Sequence, residues 1–273
     1  MDIRHTCYKS CMTARSSAPR ATFQEQVLHQ LGKDICAGRY RPGQVLPSEP
    51  ELCERFGYSR IVIREAIKSL VAKGMLEVSR RVGTLVLELS RWNLFDTDII
   101  AWRAESRQPD PTMARDLAEL RRVVEPAAVR LAAVRASDSD RKALRAAYMA
   151  MERAVAGKGD YVEADLAFHA TILSACGNQF LRQMQEAMSA MLQASFKVIS
   201  EKPGGPAFSL PMHEAICVAI ERGDAEAAER AALVLIEQAE SDLQDRLRLR
   251  KADPRSSARS AAHRTRERTA RSA

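Results

Sequence analysis

Apolar positions recur at helical spacing from Phe23 to about Ala37, where Val27, Leu28, Leu31 and Ile35 share one face. "GRYRPGQVLPSE" breaks that pattern with Gly38, Pro42, Gly43 and Pro47. Ser48 is placed to cap a short helix, "EPELCERF", that Gly57 ends. Ser59 is placed to cap the next, "RIVIREAIKSLVAK", with Ile63, Ala66, Ile67 and Leu70 at core spacing and Gly74 as its stop. "MLEVSRRVGTLVLEL" then shows β-branched alternation on both sides of "SRRVG", which predicts a hairpin. Helix, short helix, tight turn, helix and hairpin in this order compose a winged helix-turn-helix pattern.

Past Arg91 the pattern changes. "WNLFDTDIIAWRAESRQPDP" reads as a linker with short helical pieces. From Thr112 to about Arg250 only helical periodicity remains, with breaks near Ser137–Asp140, Gly157–Gly159, Gly177–Asn178, Pro203–Pro211 and Gly223–Asp224, giving about six helices. The expected fold is mainly α: a polar leader over 1–20, a winged helix-turn-helix head over 21–90, a linker over 91–111, an all-helical effector-binding and dimerisation domain over 112–245, and a basic tail over 246–273. Leader and tail are rich in Ser and Arg and read as disordered.

The chain of 273 residues accommodates two modest domains, and its 46% apolar content sustains a core in each. There is no run of 18 apolar residues and no N-terminal apolar stretch of signal-peptide length, so no membrane span and a cytoplasmic location are expected. Cys36, Cys53, Cys176 and Cys217 sit in apolar helical patterns, where a free thiol behaves as a small hydrophobe. Cys7 and Cys11 lie in the polar leader, with a metal or redox role as their minor reading. The net charge of +7 is unevenly spread: about +3 over 1–20, +3 over 21–91, −7 over 92–245 and +8 over 246–273. Local charge is therefore the better guide to partners.

Arg60, Arg64 and Lys68 recur every four residues and form one stripe opposite the Ile63, Ala66, Ile67 and Leu70 stripe. Such cations on a helix are often simply solvated. Here they front a helix that follows a short helix and precedes a hairpin tipped by Arg80 and Arg81, an order that suits a duplex. The helix enters the major groove, an arginine forks onto guanine or clamps a phosphate, and the wing reaches the neighbouring backbone or minor groove.

These residues carry a resemblance. "LPSEPELCERFGYSRIVIREAIKSLVAKGMLEVSRRVGTLV" resembles the DNA-binding domain of the GntR family of regulators. The resemblance implies DNA contacts from Ser59, Arg60 and Arg64, with Arg80, Arg81 and Gly83 in the wing; Lys68 from the stripe and Ser48 complete the candidate DNA-binding set. Many relatives carry Arg where this chain has Pro50, which implies one contact fewer and an altered operator preference.

A second chemistry lies in "EADLAFHATILSACGN". Asp165 and His169 stand at i and i+4, so both project from one helix face and can share a divalent cation; a plain salt bridge is the other reading. His213, expected to open a later helix after a Pro-rich break, could close the site, leaving coordination positions open for a carboxylate oxygen. "ELRRVVEPAAVRLAA", "DLAFHATILSACGN" and "HEAICVAIERGDAEAAERAAL" resemble, in order, the helical effector domain of the FadR branch of that family, the FCD domain. That resemblance implies a metal such as zinc, nickel or manganese held by Asp165, His169 and His213. It also implies an organic acid completing the shell, bound by Arg121 with His169 and His213. The chain departs at the fourth ligand: Leu235 stands where many relatives have His. A metal-free site binding the acid directly through Arg121, His169 and His213 stays open. "WNLFDTDIIAW", "VVEPAAVRLAA" and "AALVLI" are similar to a galactonate-responsive subgroup of the branch, which implies a sugar-acid effector such as D-galactonate.

The leading reading is a DNA-binding regulator, not an enzyme. A homodimer would set two recognition helices in successive major grooves of a short inverted repeat, and the acid would favour a spacing that no longer fits. Two alternatives differ in class. A metal-dependent hydrolase or lyase would use Asp165, His169 and His213, though no Glu or Ser stands at an obvious base or nucleophile spacing. An architectural nucleic-acid binder would rely on the basic tails, with steep salt dependence.

Overall fold

Thr22 starts the first helix: its hydroxyl accepts from Glu25 N at 3.2 Å while its own N–H donates to the Glu25 carboxylate at 2.7 Å, a reciprocal cap that satisfies two otherwise orphaned donors. The chain is described here from a computed structural model covering residues 21–106, 111–199 and 205–252. α1 (Phe23–Cys36) buries Val27, Leu28, Leu31 and Ile35. α2 (Glu49–Phe56) ends at Gly57, whose φ of 72° suits glycine. α3 (Arg60–Ala72) buries Ile63, Ala66, Ile67 and Leu70. β1 (Leu76–Ser79) and β2 (Gly83–Val86) pair antiparallel, with Ser79 opposite Gly83, so Arg80 and Arg81 lie in the turn. The 38–47 loop adds a partial third strand that the Pro/Gly pattern hides: Leu46 N donates to Thr84 O at 2.8 Å and Val86 N to Gln44 O at 2.9 Å.

α4 (Thr97–Ala104) occupies the segment expected to be a linker. Asp96 caps it, accepting from Asp98 N and Ile99 N. Ile99 and Trp102 join the head's core, whereas Ile100 joins a second core. The Trp102 ring lies so close to α1 that a Cβ on Gly32 would stand 2.3 Å from it. Its indole N–H donates to His29 Nδ1 at 2.9 Å. Lys73, at the end of α3, grips the start of α4 through Asp96 at 2.7 Å and Asp98 at 2.8 Å. The connection is thus a packed brace resting on α1 on one side.

The second core belongs to α5 (Pro111–Arg135), α6 (Asp138–Val155), α7 (Tyr161–Ala175), α8 (Gln179–Gln183), α9 (Gln185–Ile199), α10 (Gly205–Arg222) and α11 (Ala225–Ala252). α5 and α10 pack on α11, α6 on α7, and α9 touches both α7 and the brace α4. Three expectations need correction. Among the described residues there are seven helices from Pro111 onward rather than about six, because the chain turns at Met184 between α8 and α9. The break expected to run to Pro211 ends before Gly205, and His213 lies two turns inside α10 rather than at its start. Pro206 falls in the first turn, where an N–H is not needed, and Pro211 forfeits one ladder bond that the rest of an 18-residue helix outweighs. Pro126 is carried inside α5 in the same way. Finally, α11 continues to Ala252, past the expected boundary at 245, so the tail is helical at its start. Residues 1–20, with Cys7 and Cys11, and the tail from 253 onward lie outside the described residues. No described helix is long and apolar enough to cross a membrane.

Candidate nucleic-acid interface and buried ligand pocket

The front of α3 keeps its cations in water. Arg60 is exposed and has no ion-pair partner among the described residues. Arg64 is 60% exposed, yet its Nε sits 2.8 and 2.9 Å from the two Glu49 oxygens. Glu49 opens α2, so the short helix orients the recognition-helix arginine and leaves its two terminal nitrogens available for an acceptor. Lys68 pairs with Glu65 one turn back at 2.7 Å, an exposed pair that a phosphate can displace at little cost. Ser59 precedes α3 with a hydroxyl that makes no capping bond. Ser48 differs: its N–H and its hydroxyl both donate to Glu51 at 2.7 Å, so its hydroxyl is engaged in starting α2. Arg80 and Arg81 are exposed in the hairpin turn. Gly83 follows with φ 103°, and a Cβ there would meet Val45 at 3.0 Å.

The bundle holds the opposite kind of site. Asp165 and His169 rise from α7 one turn apart, and His213 comes from α10; they are 3%, 7% and 3% exposed. His213 Nε2 lies 3.1 Å from Asp165 Oδ1, and His169 Nε2 lies 3.7 Å from Asp165 Oδ2. The ligand atoms of all three fall within 4.8 Å of one another. α5 adds the buried pair Arg121 and Glu125, joined at 2.6 Å, and Glu125 also approaches His169 Nδ1 at 3.5 Å. Glu125 was absent from the sequence reading, although Arg121-x-x-x-Glu125 has the spacing of a same-face ion pair.

Burial and neighbouring charges shift the titration of several of these groups. Burial disfavours the charge on Asp165, but the flanking imidazoles and the Arg121 guanidinium hold its carboxyl below the usual carboxylate range. Burial likewise opposes Glu125, and Arg121 and His169 overcome it. Burial pushes the His169 imidazole below its ordinary value and outweighs Glu125 and Asp165, so the ring is neutral at neutral pH. His213 Nδ1 lies 2.9 Å from Ser209 O, which assigns that nitrogen the proton and frees Nε2 as a lone-pair donor. Asp165 Oδ2 and His213 Nε2 have no hydrogen-bond partner; the 3.1 Å approach of that imidazole to Oδ1 lacks hydrogen-bond alignment. Two orphaned buried polar atoms cost about 1–3 kcal/mol each if left bare. A carboxylate and two imidazoles with such atoms converging fit a divalent ion.

A cavity of about 170 Å³ opens beside the cluster. Arg121, Asp165, His169 and His213 form one side, and Leu235 stands in the wall as an apolar residue. Tyr161, Ser195, Ser209 and Gln238 supply hydroxyl and amide chemistry elsewhere in the lining, and Asp242 adds a carboxylate that accepts from Gln238 Nε2 at 3.0 Å. They lie on four helices, and no local pattern tied them to the histidines in the sequence.

Comparison with known proteins matches this two-part layout. The model described as "Bacterial regulatory proteins, gntR family" covers residues 23–86, and the FCD domain model covers 116–238. The galactonate operon transcriptional repressor of Escherichia coli strain K12 is 37% identical over 78% of this chain and 93% of its own. The uncharacterised helix-turn-helix regulator YieP of the same strain is 30% identical over 82% of this chain and 97% of its own. The Glc operon transcriptional activator, also from that strain, is 29% identical over 59% and 64%. Among solved structures, the Listeria monocytogenes regulator Lar superposes with a TM-score of 0.61 at 18% identity, over 84% of this chain and 99% of that one, which speaks for the fold alone. The families and relatives are transcriptional regulators, not enzymes, so a hydrolase or lyase built on Asp165, His169 and His213 falls away. With its helix-turn-helix head and helical effector domain both matched, the chain belongs to the GntR family of transcriptional regulators, in the group that carries an FCD domain.

Proposed function

We propose that this regulator represses genes of sugar-acid catabolism and leaves its operator when a sugar acid of the galactonate class enters the bundle. The head grips a short inverted repeat as half of a homodimer. Arg60 and Arg64 read base edges from α3, Ser59 and Lys68 meet the backbone nearby, and Arg80, Arg81 and the Gly83 turn place the wing on the flanking groove. Ser48 contributes by fixing the start of α2, and through Glu49 the aim of Arg64.

In the bundle, Asp165, His169 and His213 hold a divalent ion, which when bound supplies a Lewis-acidic anchor for a carboxylate. Glu125 orients His169 and Ser209 orients His213. Arg121, its Nε held by Glu125, offers its remaining N–H groups to the acid. Tyr161, Ser195, Ser209 and Gln238 suit the hydroxyls of a polyol chain. Leu235 leaves three protein ligands and more room for the effector.

The observation that carries this reading is the convergence of Asp165, His169, His213 and Arg121 on a single cavity whose lining also includes Tyr161, Ser195, Ser209 and Gln238. The similarity to the galactonate repressor supports the choice of acid and the sign of the response. The test is thermal-shift screening of metal-loaded and chelated protein against aldonates, hexuronates, lactate and dicarboxylates, followed by fluorescence-anisotropy release of operator DNA by each hit. Galactonate-class acids should stabilise the loaded protein and release the DNA. Stabilisation unaffected by chelator would favour direct binding by Arg121, His169 and His213. A hit confined to lactate or dicarboxylates would replace the sugar acid.

A further inference from the structure

Ile61 on the recognition helix is accounted for neither by the charge pattern nor by the core pattern. Ile61 is 74% exposed, the most exposed of the large apolar side chains among the described residues. At 100° per residue, the buried stripe of Ile63, Ala66, Ile67 and Leu70 centres on one direction of α3, and Ile61 lies about 170° away from it. Ile61, not an arginine, therefore marks the pole of the outward face. Lys68, Arg64 and Arg60 follow on one side of it, about 20°, 60° and 100° round the helix, all exposed. A β-branched apolar residue there adds neither packing nor solubility, and in the first turn of such a helix it is the side chain aimed deepest into a major groove. The one apolar feature that standard base pairs offer on that floor is the C5-methyl of thymine.

We infer that Ile61 is a specificity-determining residue that reads a thymine methyl in each operator half-site, beside the polar contacts of Arg60 and Arg64. This rests on the head binding DNA as read above. The cations supply attraction and guanine or phosphate contacts; Ile61 supplies shape-matched apolar contact that excludes cytosine, whose amino group would be left desolvated against it.

The experiment starts with selection of binding sites by the full-length protein from a random-sequence duplex library. Each thymine fixed in the selected half-site is then replaced in turn by deoxyuridine, which removes the methyl group and nothing else. At one position the wild type should weaken by about fourfold per half-site, the factor that burying one methyl-sized group sets. Ile61→Ala should bind thymine and uracil duplexes equally at that position, and Ile61→Val should keep part of the difference. Because the side chain is exposed, both variants should melt like the wild type, and circular dichroism checks this. If Ile61→Ala keeps the wild-type ratio, or if no deoxyuridine weakens the wild type, the inference is overturned. Failure to select any sequence would overturn it too, but through the DNA-binding reading, which an unaltered thymine-to-uracil ratio leaves standing.

Discussion

Arg64 on the recognition helix is 60% exposed, whereas Asp165, His169 and His213 in the bundle are between 3% and 7% exposed. The two regions hold charged chemistry by opposite means. In the head, water solvates the cations, weak exposed pairs aim them, and removing one should alter binding while leaving the fold intact. In the bundle, charged and polar groups are stripped of water and satisfied only in part, so each is tied to stability as well as to ligand. The exposed site keeps its charges hydrated; the buried one leaves Asp165 Oδ2 and His213 Nε2 without a hydrogen-bond partner.

The largest expected effect separates binding from folding. Arg60→Ala with Arg64→Ala should lower operator affinity by about 2–6 kcal/mol, toward the non-specific level, with an unchanged melting temperature. Anisotropy titrations on operator and scrambled duplex measure the first, and calorimetry the second. Undiminished discrimination would falsify the assignment of the head's chemistry to α3.

In the bundle the same kind of deletion should couple the two properties. Wild-type protein at a metal concentration about a hundredfold above Kd gains about 2.7 kcal/mol from binding. Asp165→Ala should lose that metal-dependent rise in melting temperature together with the bound ion, followed by elemental analysis. Leu235→His sharpens the contrast in the other direction: a third imidazole, and so a fourth ligand, on the cavity wall should tighten metal retention against a chelator and shrink the acid response.

Gly32→Ala tests how the head holds its brace. The added methyl meets the Trp102 ring, and such overpacking costs about 1–3 kcal/mol. Thermal melts should show the loss even though Gly32 touches neither DNA nor ligand.

The smallest effect is a pH slope. His169 is held below its ordinary value, so as pH falls through about 6.5 the unfolded imidazole takes up a proton that the buried one refuses. Its contribution to stability is present above that pH and is lost below it. Metal-free melts between pH 8 and 5.5 should slope downward toward acid, and His169→Gln should flatten the slope.

The contrast also explains what could be read from the chain in advance. The head's helices declare themselves over short stretches, so the cap at Ser48, the stops at Gly57 and Gly74, and the 60/64/68 stripe can each be read locally, although Ser59 holds its place before α3 without the capping bond expected of it. Asp165 and His169 were legible for the same reason. Glu125 and the polar cavity lining were not, because α5, α9, α10 and α11 bring them together only when packed. Met184 and Pro211 misled boundaries by local rules: a turn without Gly or Pro went unseen, and a proline that a long helix absorbs was read as a break. Ile61 was quoted within its helix and passed over, because an apolar residue in an apolar-looking run draws no notice until its direction is known.

Ile99 and Ile100 are neighbours in sequence but belong to different cores. A fragment cut at residue 90 would therefore leave α1 with an empty slot above Gly32 where the Trp102 indole should lie. Conversely, tilting this eight-residue strut by a few degrees shifts the head, because its far side leans on α9, which lends Leu192 and Ser195 to the ligand cavity.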